Sequence, residues 1–273
     1  MLSFHLSAHA ATLDGVDIGT ILPTSAQKAI IQTFGYLMND RPYQGAESIG
    51  KDSAVGFDFG IEASLVHVSS DFASSISGSS LGSSSVSALP ALPIAKIHID
   101  KSFGSNWDFG ITGIYYPGVL SLGFHVKRIL FEPEEGPVYS VRLIYEYSTL
   151  DLKKLGAPSI PITVSGATIG KASMLLKSNV WTPQFLASKR LDFAEPYMGA
   201  GVALLSGQID IPVKLDVLAA SQTLSTEPVS AVNPMAFMGI SFRVPGVSLH
   251  LVMEGSYSKI GMHTLGLMLG FGF

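Results

Sequence analysis

Three observations in the sequence predict an all-β fold, a transmembrane antiparallel β-barrel of about ten strands. The first is alternation. The chain stops on His263-Thr-Leu-Gly-Leu-Met-Leu-Gly-Phe-Gly-Phe273, where Leu265, Leu267, Leu269, Phe271 and Phe273 alternate with Thr264, Gly266, Met268, Gly270 and Gly272. Successive strand side chains point to opposite faces, so one face is large and apolar and the other nearly bare. The second is high hydropathy without a spanning helix. Mean hydropathy is +0.38, yet no run approaches the ~18 apolar residues of a membrane helix. A chain this apolar satisfies its backbone in lipid only as a closed barrel. The third is the placement of Trp107, Tyr115, Tyr116, Tyr139, Tyr147, Trp181, Tyr197 and Tyr257 near strand ends, where interfacial girdles lie.

Composition narrows the class further. A chain of 273 residues fits one large β domain. There is no cysteine, so neither disulfides nor thiol chemistry enters. Charged residues make up 14% and the net charge is −4, which leaves no basic face for a nucleic acid.

In chain order, residues 1–10 end in Ala8-His9-Ala10, a pattern like a signal-peptidase site, and read as a signal-peptide remnant. Residues 11–53 form an N-terminal segment. Within it, Thr24 and Gln27 make a capping box for a helix over 25–38, stopped by Asn39-Asp40-Arg41-Pro42. Its apolar face carries the stripe Ile30, Phe34 and Leu37. An amphipathic helix this short is marginal alone, so the stripe needs a partner: the barrel interior as a plug, the membrane interface, or a neighbouring subunit.

Residues 54–273 form the barrel. Strands are expected at 54–69, 93–101, 106–116, 119–131, 138–149, 165–190, 196–208, 234–244, 247–257 and 261–273. Twelve strands result if 165–190 splits and the alternating stretch Ile209–Val217 is also a strand. Long connections at 70–92 and 209–232 set against short turns match a barrel with both termini on the periplasmic side.

Strand facing follows from the same period. Phe57, Phe59, Ile61, Ala63 and Leu65 face lipid, and Asp58, Gly60, Glu62 and Ser64 face the lumen. The lumen is thus expected to hold a charge network of Asp58, Glu62, Lys96, His98, Arg142, Glu146 and Glu254, joined by Asp100, His125, Lys127, Lys171 and Lys177. Mixed signs in a narrow interior favour pairing across it, with Arg142 against Glu146 or Glu62. Val66, Val68, Ile144, Leu175, Val252 and Met268 also fall on inward faces. Ordinary lumens are polar, so this surplus points to a plug helix, a hydrophobic ligand or contacts between protomers.

The terminal strand, with Phe273, Phe271 and Leu269, resembles the assembly signal of bacterial outer-membrane β-barrel proteins. The resemblance implies a porin-like protein of the bacterial outer membrane, with membrane lipids and the outer-membrane insertion machinery as partners. No subfamily is specified. A non-enzymatic structural or porin-like role with self-association is expected, and the alternatives are a channel for small or hydrophobic solutes and an outer-membrane hydrolase. Gly78-Ser-Ser-Leu-Gly82 matches a nucleophile motif but lies in a serine-rich loop, where chance explains it. The histidines show no metal-ligand spacing, so no metal, catalytic group or cofactor is expected.

Overall fold

The computed structural model describes residues 24–39, 41–49, 56–67, 91–104, 106–155, 159–164, 167–215, 220–243 and 247–272. The signal-peptide remnant at 1–10, the serine-rich loop, Val68 and the terminal Phe273 lie outside them. One helix, α1 (Thr24–Met38), precedes the strands β1 (Phe57–His67), β2 (Ala91–Phe103), β3 (Trp107–Tyr116), β4 (Val119–Phe131) and β5 (Val138–Asp151). These are followed by β6 (Ile160–Val164), β7 (Ala167–Ala172), β8 (Leu175–Ser188), β9 (Ala194–Leu215), β10 (Ala220–Ser225), β11 (Val229–Arg243), β12 (Leu249–Ser258) and β13 (His263–Gly272).

Ten of these strands form a closed antiparallel barrel in the order β1-β2-β3-β4-β5-β8-β9-β11-β12-β13 and back to β1. The closing seam runs unbroken from Asp58↔Gly272 to His67↔His263. Closure leaves no strand edge unpaired, the condition for backbone to lie in hydrocarbon. The segments that raised the count toward twelve add no barrel strand beyond β8 and β9. Segment 165–190 divides into β7 and β8, and Ile209–Leu215 is the upper part of β9, which has 22 residues. A tilted strand of about 9–11 residues crosses a bilayer, so β9 extends well beyond the barrel, pairing there with β7 and β10.

The barrel therefore has two unlike ends. At the short-turn end, β1 begins and β13 stops. At the other end lie the connection between β1 and β2, the excursion through β6 and β7, and the β9–β10 extension. The tight turn between β3 and β4 uses Gly118 at φ +93°, a conformation glycine adopts without a Cβ clash.

Burial follows the sequence period. Along β1, Phe57, Phe59, Ile61 and Leu65 are exposed, while Asp58, Glu62, Ser64 and Val66 are buried. On β13, Leu265, Leu267, Leu269 and Phe271 face out, and Thr264, Gly266, Met268 and Gly270 face in. The exterior is an apolar belt with aromatics toward both ends: Phe103, Trp107 and Phe131 near the short turns, Tyr115, Tyr116 and Tyr257 near the other end. Two expected girdle residues lie elsewhere. Trp181 packs on Tyr145 in mid-belt with ring centroids 4.6 Å apart, because the Tyr145↔Trp181 pairing falls at the middle of β5. Tyr197 points into the lumen and is buried, because inward Glu254 accepts its hydroxyl proton at 2.9 Å.

Candidate functional site

The lumen is filled by the chain's own N-terminal segment. Helix α1 lies against the inner faces of β8, β9, β11 and β5. Ile30 and Phe34 of its stripe are buried, and Leu37 is partly buried against the same cluster. Their neighbours are Val66, Leu176, Val180, Leu205, Ile209 and Met262, inward residues toward the long-loop end. Ile31 approaches Gly207, and Gly35 sits where a Cβ would overlap Leu205. Glycine on each partner lets helix and wall meet closely. The surplus of inward apolar residues has its explanation here: Val66 lines the helix, while Val252 and Met268 cluster with Tyr43 and Ala46. Leu175 is a correction. Large Trp181 and Phe185 take the outer face of β8, so every residue of that parity, Leu175 included, faces out.

Residues 41–49 then run through the lumen toward the short turns, and side chains from six strands hold the segment from Met38 onward. Lys96 (β2) donates to Met38 O at 2.6 Å, and Thr182 (β8) to Asn39 Oδ1 at 3.2 Å. Arg142 (β5) donates to Pro42 O at 2.6 Å, and Tyr43 bonds Ser64 (β1) at 2.5 Å. Gln44 donates to Asp100 Oδ2 at 2.6 Å, and the Ala46 amide to Ser188 Oγ at 3.0 Å. Lys127 (β4) reaches Gly45 O at 3.1 Å and Glu47 O at 2.6 Å. Ser48 bonds Ser102 and Asp108 (β3), each at 2.9 Å. Buried backbone polar groups need partners. A strap that forms no β-ladder finds them on long side chains of the wall.

The expected lumen charges lie inside. Asp58, Glu62, Lys96, His98, Arg142, Glu146 and Glu254 are all buried. Lys96 pairs with Glu146 at 2.8 Å, and Ser121 also donates to that carboxylate. Lys127 pairs with Asp108 at 3.0 Å. The Arg142 guanidinium grips Gln184 Oε1 at 2.6 and 2.9 Å as well as Pro42 O. Arg142 thereby ties the strap to β5 and β8. Lys171 and Lys177 are not lumen residues. Lys171 is exposed on β7, and Lys177, of outward parity on β8, pairs with Asp210 at 2.6 Å.

The register also collects residues that sequence spacing kept apart. Asp58 lies opposite Asp100 and Gly60 opposite His98 on β1 and β2. Gly110 lies opposite His125, and Gly270 opposite His250. His125 Nε2 is 2.9 Å from Asp100 Oδ1, and His250 Nε2 is 3.2 Å from Asp58 Oδ2. At the short-turn end a cavity of about 260 Å³ opens beside this group, with Tyr43, Glu47, Asp58, Arg190, Glu195 and His250 among its walls. No shared sequence motif marks these positions, since each contact joins different strands.

Fold and lumen together define a class: a transmembrane β-barrel whose lumen holds part of its own N-terminal segment. No protein-family model matches the chain, and no curated protein matches its sequence. Solved structures similar to it are bacterial outer-membrane barrels. Outer membrane protein Omp33 of Acinetobacter baumannii is 8% identical, with 84% of this chain and 100% of that chain covered and a TM-score of 0.33. Neisserial surface protein A is 11% identical over 80% and 97%, TM-score 0.26. The CymD monoaromatic hydrocarbon channel is 8% identical over 94% and 95%, TM-score 0.28. Likeness at this level does not extend to what any of them binds or carries.

Proposed function

We propose that the chain is a non-enzymatic barrel of the bacterial outer membrane with a structural role, its lumen sealed by residues 24–49. The observation that carries this reading is the set of strap anchors. Asp100, Lys127, Arg142 and Ser188 lie on β2, β4, β5 and β8, and all bind one short segment. With α1 packed on the inner wall toward the long loops and the strap below it, the described part of this segment occupies both halves of the lumen, which supports a sealed barrel. The apolar belt supports lipid as the surrounding partner, and self-association through that belt belongs to the same proposal.

A second reading, a gated channel for small solutes, is favoured by one feature. The strap is held by side chains rather than by strand pairing, so it can leave as a unit without opening the barrel wall. Planar-bilayer recording separates the two. The structural reading expects the purified full chain to stay silent, including under applied voltage. Steady openings of the wild-type chain would contradict it and favour the channel.

A further inference from the structure

Two carboxylates and three imidazoles meet in the lumen just above the short-turn cavity. Asp58 and Asp100 face each other directly across the β1–β2 pair, an arrangement that is destabilising for like charges unless a cation intervenes. His98 stands beside them, 1% exposed, and neither ring nitrogen has a hydrogen-bond partner. Asp58 Oδ1 is likewise buried without one. A buried imidazole with both nitrogens unmatched is costly.

We propose that Asp58, His98 and Asp100 bind a divalent transition-metal cation of the zinc type. Their donor atoms lie within 4.8 Å of one another. Ligands 2.0–2.2 Å from a tetrahedral ion sit ~3.4 Å apart, a gap that side-chain rotation closes. One imidazole with two carboxylates suits zinc and its neighbours better than calcium or magnesium, which prefer oxygen alone. Three protein ligands leave a position for water.

The surroundings are built for this. His125 and His250 each hold one of the two carboxylates, and Gln44 donates to Asp100 at 2.6 Å. Such outer partners orient metal ligands. Room for the rings comes from glycine on the neighbouring strand: a Cβ at Gly60, Gly110 or Gly270 would run into His98, His125 or His250 respectively. Access is from the short-turn cavity, whose wall includes Asp58 and His250. Because Gln44 belongs to the strap, an ion here also secures the plug.

The test is calorimetric titration of Zn²⁺ into the untagged full chain, folded in detergent and stripped with chelator, beside Ca²⁺ and Mg²⁺. One Zn²⁺ per chain is expected, with a higher Tm and no comparable response to Ca²⁺ or Mg²⁺. His98→Gln and Asp58→Asn should each weaken Zn²⁺ binding by about tenfold or more. His263→Gln, on the outer face, should leave it unchanged. Sheet content by circular dichroism identifies the variants that fold. No saturable Zn²⁺ binding and no rise in Tm for the wild-type chain would overturn the proposal. Undiminished affinity in a folded His98→Gln chain, or equal binding of Ca²⁺, would do the same.

Discussion

At the residue scale, the lumen works by setting charged and hydroxyl side chains of the wall against buried polar groups of the strap. Lys127 shows this most plainly. Its ammonium meets Asp108 at 3.0 Å and the carbonyls of Gly45 and Glu47 at 3.1 and 2.6 Å. Lys127→Met keeps the stem and removes the charge, leaving a buried carboxylate and two carbonyls without it. Breaking a buried pair on one side costs about 3–5 kcal/mol. Urea unfolding in detergent should show a loss of that order, and an unchanged midpoint would mean that water already serves these groups. The sequence disclosed that Lys127 faces inward but not what it binds. Alternation supplies the facing, while the strap carbonyls it binds lie some 80 residues away in sequence. The histidine group was hidden for the same reason: His98, His125 and His250 sit on β2, β4 and β12 and converge only through strand register.

At the element scale, strands and helix were legible to different degrees. β4 matches its expected bounds, 119–131, since large apolar residues on one face and polar ones on the other set both its length and its orientation. β9 was cut short near residue 208 because Ile209, Ile211 and Val213 continue its inward face into a Ser- and Thr-rich stretch that resembles a loop. Parity on β8 is not legible at Leu175 and Lys177, where no aromatic marks the outer face until Trp181. The helix is visible from its stripe, and inward-facing Val66 points to its partner. The strap at 41–49 has no period at all, so nothing local announced it. Phe34 is 3% exposed in the apolar cluster. Phe34→Asp places a charge there and should cost about 3–5 kcal/mol. Thermal melts should shift downward while the sheet signal of the folded barrel stays intact, because the strand ladders do not depend on α1. Loss of the sheet signal itself would make the helix part of the barrel's folding core.

At the scale of the whole molecule, two surfaces of opposite character share one set of strands. The outer face is an apolar belt suited to lipid, and the inner face is polar toward the short turns and apolar toward the long loops. A barrel of ten strands is only slightly wider than the eight-stranded case that side chains nearly fill, and among the described residues α1 and the strap occupy its interior. The central claim is that residues 24–39 and 41–49 occupy this lumen in the folded chain. The protein has no cysteine, so a pair introduced across the strap and the wall reports on that contact alone. Ser48 Oγ and Ser102 Oγ lie 2.9 Å apart, within reach of a disulfide. The Ser48→Cys, Ser102→Cys double variant, folded in membranes under mild oxidation, should form that bond quantitatively, seen as an intramolecular cross-link by mass spectrometry. Two free thiols that both react with a maleimide in the folded barrel would contradict the account.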